Sequence, residues 1–440
     1  MRRLVALLLF LALAHDGGTF YSQYTFTPLG WVQTVLFDPL PIKVRPFDLI
    51  MLLVFAYAST RPVSKGPRVR PMASTMLVAA VTVVVWFIYG IARGGSAWAA
   101  SWQTYLMLSM MMTALAVAAT CRTAEHYAAL GKAILAAGLY RATMGLIFYA
   151  FWVRPHRVEQ AEYLTTHYDT VVWTLCIVML GANALENPVR KARLWLAIAA
   201  PYIVLAIQLN NRRLAWVSLI AALVTSFVLL KPSKIKRRIT RTFLVLAPVV
   251  GLYVAVGWDR GGAFFAPLRA LATVTTDEDA STKARNAENL GLIATANASG
   301  WLFGTGWGHG YIELTKKYSI AKVFELWPYV PHNSVLGLFA YTGYFGFCGY
   351  WLMFPTAVFL HARTARLATR PLERAAGVVG VAQVVICANQ MYGDMGIFSP
   401  ATMYVMATCM GAALRLPIQA GVWPAGRQAG ASPPPVASGA

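Results

Sequence analysis

The chain has 440 residues, of which 58% are apolar and only 12% are charged, and its mean hydropathy is +0.54. These values exclude an ordinary soluble protein, because soluble domains carry about twice that share of charged residues. The net charge is +21, but the basic residues are spread over many short segments, so no nucleic-acid partner is expected.

About twelve apolar segments approach the length of roughly 20 residues with which a helix crosses a bilayer. The sequence therefore predicts an all-α polytopic membrane protein. The first segment follows Met1-Arg2-Arg3, and we interpret it as a retained helix whose N-terminus is inside, because further spans follow it. The segments are 4–14, 47–60, 72–92, 97–119, 128–152, 169–186, 194–210, 214–230, 242–257, 334–360, 375–391 and 398–415.

The distribution of charge supports this orientation. Lysine and arginine near span ends concentrate on the cytoplasmic side. The connections assigned inside hold 22 lysines and arginines against 3 acids, whereas those assigned outside hold 14 of each sign. The predicted organisation is nine transmembrane helices in 1–257, a large external loop in 258–331, three helices in 332–416 and a disordered cytoplasmic tail in 417–440.

The external loop is long enough to be functional in its own right. A helix is predicted from Ser281, and a glycine-rich turn occupies 304–310. We interpret this turn as closing the loop onto its helix rather than as a phosphate cradle, because no strand precedes it and no Gly-Lys-Ser/Thr follows. The loop runs into Pro331-His332-Asn333-Ser334, where a polar tetrad meets the tenth span.

Cysteine and histidine spacing predicts neither disulfides nor a metal site. The five cysteines lie in or at the edges of spans with no paired spacing, and the histidines do not form a ligand set. The cysteines are Cys121, Cys176, Cys348, Cys387 and Cys409.

Several motifs follow one another along the chain: the Asn210-Asn211-Arg212-Arg213 junction, Arg285, the 304–308 turn, and His332-Asn333-Ser334-x-Leu336 with Gly343-Tyr344-Phe345-Gly346 behind it. In this order the chain resembles the O-antigen ligase family of bacterial inner-membrane glycosyltransferases. The resemblance implies a GT-C-like helical fold with a site facing the periplasm. It also implies transfer of O-antigen from undecaprenyl diphosphate to lipid A-core oligosaccharide, among membrane lipids and without a nucleotide, metal or other cofactor.

Other functions stay open at this stage. The same superfamily contains O-antigen polymerases and protein O-oligosaccharyltransferases. We favour a ligase because a single large external loop directly precedes His332, and because no added periplasmic domain would hold a polypeptide acceptor. A lipid-linked glycan transporter would need ionisable residues along a path at mid-bilayer depth, and only Lys132 and Arg141 clearly qualify.

Transfer from a diphosphate carrier needs fixed cations at the leaving group, and arginine grips phosphate oxygens with two parallel donors. Arg212 and Arg213 lie in an external turn of about three residues. The family pattern has one arginine here; we favour Arg213, with Arg212 second, and anchoring at the membrane interface is the alternative role. Arg285 matches the family's loop arginine, with a solvated surface residue as the alternative.

Arg141 is a further candidate for diphosphate binding. It lies near the middle of the fifth span, where an isolated cation costs about 2.5–3.5 kcal/mol. Arg141 therefore needs either a partner or an aqueous cavity, and a structural buried pair is the other interpretation.

His332 is the predicted catalytic base. A neutral imidazole, with an ordinary pKa of about 6.5, suits the removal of a proton from the acceptor hydroxyl in an inverting reaction. A helix-end histidine bonded to a loop carbonyl is the alternative. His309 is the second candidate base, Asn333 is a predicted N-cap, and Asp394 is predicted to orient an arginine or a histidine unless it is an interfacial residue.

Overall fold

The computed structural model describes residues 1–15, 28–40, 44–61, 66–156, 164–258, 260, 262–265, 268, 280–315 and 326–425. Within these residues the fold contains no strand, and nine of its helices are long and apolar enough to cross a membrane. The chain is an all-α polytopic membrane protein, as predicted. The fourteen helices of 13 residues or more are α1 Arg2–Ala14, α2 Pro46–Thr60, α3 Arg70–Ala92, α4 Ala97–Thr120, α5 Ala124–Phe148, α6 Asp169–Glu186, α7 Arg190–Asn210, α8 Arg213–Leu229, α9 Lys234–Gly257, α10 Ala280–Ser299, α11 Ser334–Trp351, α12 Met353–Leu367, α13 Pro371–Gly393 and α14 Pro400–Ala413.

Each of the twelve predicted apolar segments overlaps a helix, with two differences in detail. Four of them form helices of only 13, 15, 17 and 14 residues, namely α1, α2, α8 and α14. The segment 334–360 is divided between α11 and α12. The helix predicted from Ser281 is α10, which begins one residue earlier.

The predicted disordered tail begins as ordered structure. Leu416–Gln419 form a short helix, Val422 is buried, and its carbonyl accepts a hydrogen bond from Arg363 Nε. The apolar side chains after the last span therefore pack on the bundle, which composition alone did not indicate. Residues 426–440 lie outside the described part of the chain.

Contacts between the connections divide them into two groups that match the two predicted sides of the membrane. On the predicted cytoplasmic side, the connection between α12 and α13 forms ion pairs with two others, through Arg374 with Glu186 and through Arg370 with Glu125. On the opposite side, the Ser96 N–H donates to the Gly308 carbonyl at 2.9 Å. We call that opposite side the external end of the bundle.

The large loop is seated in a break in α11. Gly343 has φ 58°, and the helix ladder is interrupted there. The carbonyls of Ala340 and Tyr341, which a continuous helix would pair with residues 344 and 345, instead accept the N–H groups of Thr305 (3.3 Å) and Gly306 (2.7 Å). These bonds to the loop replace the helix's own hydrogen bonds, so the carbonyls keep a partner where the helix is irregular.

The residues just after the break in α11 also form backbone hydrogen bonds with the external loop. The N–H groups of Tyr344 and Phe345 donate to the carbonyls of Trp301 (2.7 Å) and Leu302 (3.2 Å). The Gly343-Tyr344-Phe345-Gly346 motif is therefore the seat of the external loop.

The hydrogen bonds of the glycine-rich turn join it to α3 and α4 of the bundle, whereas the prediction placed it against the loop's own helix. The N–H of Trp307 donates to the Trp86 carbonyl at 3.2 Å, and that of Gly308 donates to Gln103 Oε1 at 2.6 Å. These amides are satisfied by the bundle, which leaves them unsuited to a phosphate cradle.

Gly306 is predicted to tolerate no side chain. Its φ is +83°, and an added Cβ would lie 2.3 Å from the Cα of Gly90. We expect Gly306→Ala to lower the free energy of unfolding by about 1–3 kcal/mol beyond the cost of the left-handed backbone, measured as the apparent unfolding temperature in detergent. Gly300→Ala is the matched control, since its φ is +89° and the space around it is open. Equal destabilisation by the two variants would contradict this assignment.

Candidate active site

Helix ends from four connections meet beside α10 at the external end. The starts of α6, α8 and α11 and the end of α13 all contribute polar side chains there. The Met395 N–H donates to the His332 carbonyl at 2.6 Å, which fixes the end of α13 against the start of α11. The structure thus brings together residues more than one hundred positions apart in sequence.

His332 is paired with a buried carboxylate. Its Nδ1 lies 2.8 Å from Glu288 Oε2, and the Glu288 side chain is only 2% exposed. The other oxygen, Oε1, accepts the backbone N–H of His332 at 2.5 Å. Because both contacts come from one carboxylate, Glu288 fixes the backbone and the ring of His332 together.

The pairing selects one tautomer of the histidine. A carboxylate only accepts hydrogen bonds, so Nδ1 of His332 carries the proton and donates it to Glu288. In the neutral ring, Nε2 then has an available lone pair. The His332 side chain is 22% exposed, so a substrate hydroxyl can reach it.

Asn333 is the N-cap of α11, as predicted. Its Oδ1 accepts the Leu336 N–H at 3.0 Å, and its Nδ2 donates to Asn289 Oδ1 at 3.1 Å. The cap therefore joins the start of α11 to α10, the helix that carries Glu288. This bond limits how far His332 can move from its carboxylate.

A second polar chain runs through Asp394. His167 bridges two side chains, with Nδ1 in contact with Asp394 Oδ2 and Nε2 at 3.2 Å from Arg212 Nη2. Arg212 and Asp394 are both buried. Asp394 thus contacts a histidine that the sequence did not single out, and its orienting role stays a prediction.

The electrostatics link the two chains. Burial opposes ionisation of Asp394, but the hydrogen bond and charge of His167 outweigh it and, with Arg285 and His332, hold the pKa of the carboxyl below its ordinary value. Arg285 lies on α10, one helical turn before Glu288. The fields of Arg285 and His332 therefore reach the same carboxylate.

The arginine turn between α7 and α8 has a defined geometry. Asn211 adopts φ 51° and caps α7, a left-handed conformation that asparagine tolerates. Arg212 follows it and contacts His167, whereas Arg213 is the first residue of α8 and is half-buried. Arg212 thus contacts the histidine that faces Asp394, and which of the two arginines binds a diphosphate stays a prediction.

Arg141 belongs to a buried ion pair. Its Nε and Nη2 donate to the two oxygens of Asp169 at 2.9 and 2.8 Å, and both residues are buried. Of the two interpretations of Arg141, the structure supports the structural pair. The pair fixes the start of α6, two residues after His167.

His309 lies apart from His332. Its Nε2 is 3.2 Å from the Gly90 carbonyl, and its own carbonyl accepts from Gln103. Among the described residues, its contacts join the glycine-rich turn to α3 and α4, and they do not involve Glu288 or Asp394.

Residues 197–351 match the family model described as O-antigen ligase. This match supports assignment of the chain to the O-antigen ligase family. The matched segment covers about a third of the chain, from α7 to the end of α11, and contains Arg212, Arg285, Glu288 and His332. His167 and Asp394 lie outside it. No curated protein sequence matches the chain significantly.

Sequence reasoning missed two residues of this constellation, Glu288 and His167. Glu288 follows Arg285 by three residues, so a helix places both on one face. The spacing from Arg285 could therefore have indicated that Glu288 belongs to the same site. His167 had no signal other than its place in an external connection, because its partners Arg212 and Asp394 lie in different connections.

The Arg141–Asp169 pair can be tested by its energetics. We expect Arg141→Met to destabilise the protein by about 3–5 kcal/mol, because Asp169 is left as an unpaired buried charge. The double variant Arg141→Met/Asp169→Leu should recover much of that loss in apparent unfolding temperature. A stable but inactive double variant would instead indicate that Arg141 contacts substrate.

Asp394 should give a pH-dependent contribution to stability. Its folded pKa is lowered from 3.8, so its contribution is present at higher pH and is lost as the pH falls through the folded pKa. We expect Asp394→Asn to cost about 1–3 kcal/mol near pH 7, with the difference from wild type shrinking below about pH 4. Apparent unfolding temperatures across this pH range measure it, and a pH-independent difference would refute it.

Proposed function

We propose that the protein ligates preassembled O-antigen polysaccharide from undecaprenyl diphosphate to lipid A-core oligosaccharide. The reaction takes place at the periplasmic face of the bacterial inner membrane, inverts the anomeric centre and requires no metal. The observation that carries the proposal is the His332–Glu288 pair, held at one end of a membrane bundle beside Arg212, Arg285 and Asp394.

His332 acts as the general base. Its neutral Nε2 accepts the proton of the acceptor hydroxyl as that oxygen attacks the anomeric carbon. The bond between this carbon and the diphosphate oxygen breaks, and the diphosphate leaves with the electron pair. Glu288 stabilises the imidazolium that forms, because its buried carboxylate faces Nδ1 at 2.8 Å.

Arg212 and Arg285 neutralise the leaving diphosphate. A diphosphate already leaves readily, so fixed positive charge contributes more than an added acid. We propose Arg212 ahead of Arg213 because it contacts the His167–Asp394 pair. We leave Arg141 out of the diphosphate site, since Asp169 occupies its donors on two nitrogens. His309 remains a second candidate base with a packing contact of its own.

Reconstitution with purified components tests the proposal. Undecaprenyl-diphosphate glycan and rough lipopolysaccharide are combined with EDTA and without nucleotide, and high-mass lipopolysaccharide is followed on gels. We expect product from the wild type, none from His332→Ala, and a reduction of about 10²-fold or more in kcat for Glu288→Gln. Ser101→Ala, an exposed residue near the same end, is the control.

Two other results of the same experiment would indicate the alternative functions. Growth of the glycan on undecaprenyl diphosphate without transfer to lipid A-core would mean a polymerase. Movement of the lipid-linked glycan across the bilayer without bond transfer would mean a transporter. Full activity of His332→Ala would show that His332 is not the general base.

A further inference from the structure

The segment that carries His167 is anchored on two sides. Asn210 Oδ1 accepts the N–H groups of Leu164 (3.0 Å) and Thr165 (2.9 Å), and the Arg141–Asp169 pair fixes the start of α6. The segment therefore presents His167 from a rigid base. The His167 side chain is nonetheless 39% exposed, so it borders the space that a substrate would enter.

The two nitrogens of His167 have fixed roles. A guanidinium only donates hydrogen bonds, so Nε2 of His167 must be the acceptor toward Arg212 Nη2 at 3.2 Å. Nδ1 then carries the proton and faces the Asp394 carboxylate. The neutral imidazole thus connects a buried acid to a buried arginine.

We infer that His167 is a positioning residue of the donor site, whose neutral ring links Asp394 to Arg212 and holds that guanidinium against the diphosphate of the lipid-linked glycan. This inference rests on the proposed function. A guanidinium on a long side chain samples many rotamers, and a fixed acceptor reduces the entropy lost when it binds phosphate.

Binding of undecaprenyl diphosphate to the full-length protein in nanodiscs tests the inference without turnover. His167→Asn keeps a donor toward Asp394 but loses the acceptor for Arg212, whereas His167→Gln places an amide oxygen near the position of Nε2. We expect His167→Asn to weaken binding about tenfold, the loss of one charge-assisted hydrogen bond, and His167→Gln to recover most of the affinity. His126→Asn, at the predicted cytoplasmic end, is the control.

The unfolding temperatures of the two variants separate positioning from a merely structural role. We expect His167→Asn to weaken binding by more than its change in apparent unfolding temperature accounts for, and His167→Gln to recover the affinity. A purely structural role would instead lower binding in step with unfolding temperature, equally for both variants, and would overturn the inference.

The results also distinguish the inference from the function on which it rests. If the wild type binds undecaprenyl diphosphate and His167→Asn binds it equally well, only the positioning role fails. If the wild type does not bind the carrier lipid at all, the proposed function fails and the inference fails with it.

Discussion

The requirement that every buried backbone group find a partner governs this structure. Apolar helices satisfy their own ladders, so irregular backbone is tolerated only where one segment completes another. The break at Gly343 shows how this works, because residues 301–306 accept and donate the bonds that α11 gives up. This exchange seats the external loop on the bundle. It thereby places α10, with Arg285 and Glu288, over the start of α11.

Buried acids at the external end are each matched with a base. Glu288 faces His332, Asp394 faces His167, and Asp169 faces Arg141. Charges removed from water must be paired, so each carboxylate fixes the position of its partner. The chemistry proposed here uses the two histidine pairs, while the arginine pair supports the segment between α5 and α6. The polar residues proposed for catalysis and those that support the fold therefore lie next to one another at the external end.

Sequence reasoning was most effective for the helices and for single residues in linear motifs. The helix positions followed from hydropathy, since a span is a local property of about 20 residues. The N-cap at Asn333 was likewise predicted from local pattern. The buried pairs were not, because Glu288 precedes His332 by 44 positions and His167 precedes Arg212 by 45. A contact at such separation depends on how helices pack.

By itself the sequence determined that the chain is an all-α membrane protein, which connections share a side, and that His332 stands where a loop enters a helix. Hydropathy and the placement of arginine and lysine are properties of each segment alone, so they can be evaluated without knowing how the helices pack. Only the tertiary structure decided that Arg212 contacts His167, that Arg141 is paired with Asp169, and that Glu288 fixes the His332 tautomer. Those outcomes depend on distances of about 3 Å between side chains on different helices, which the linear order of residues does not specify.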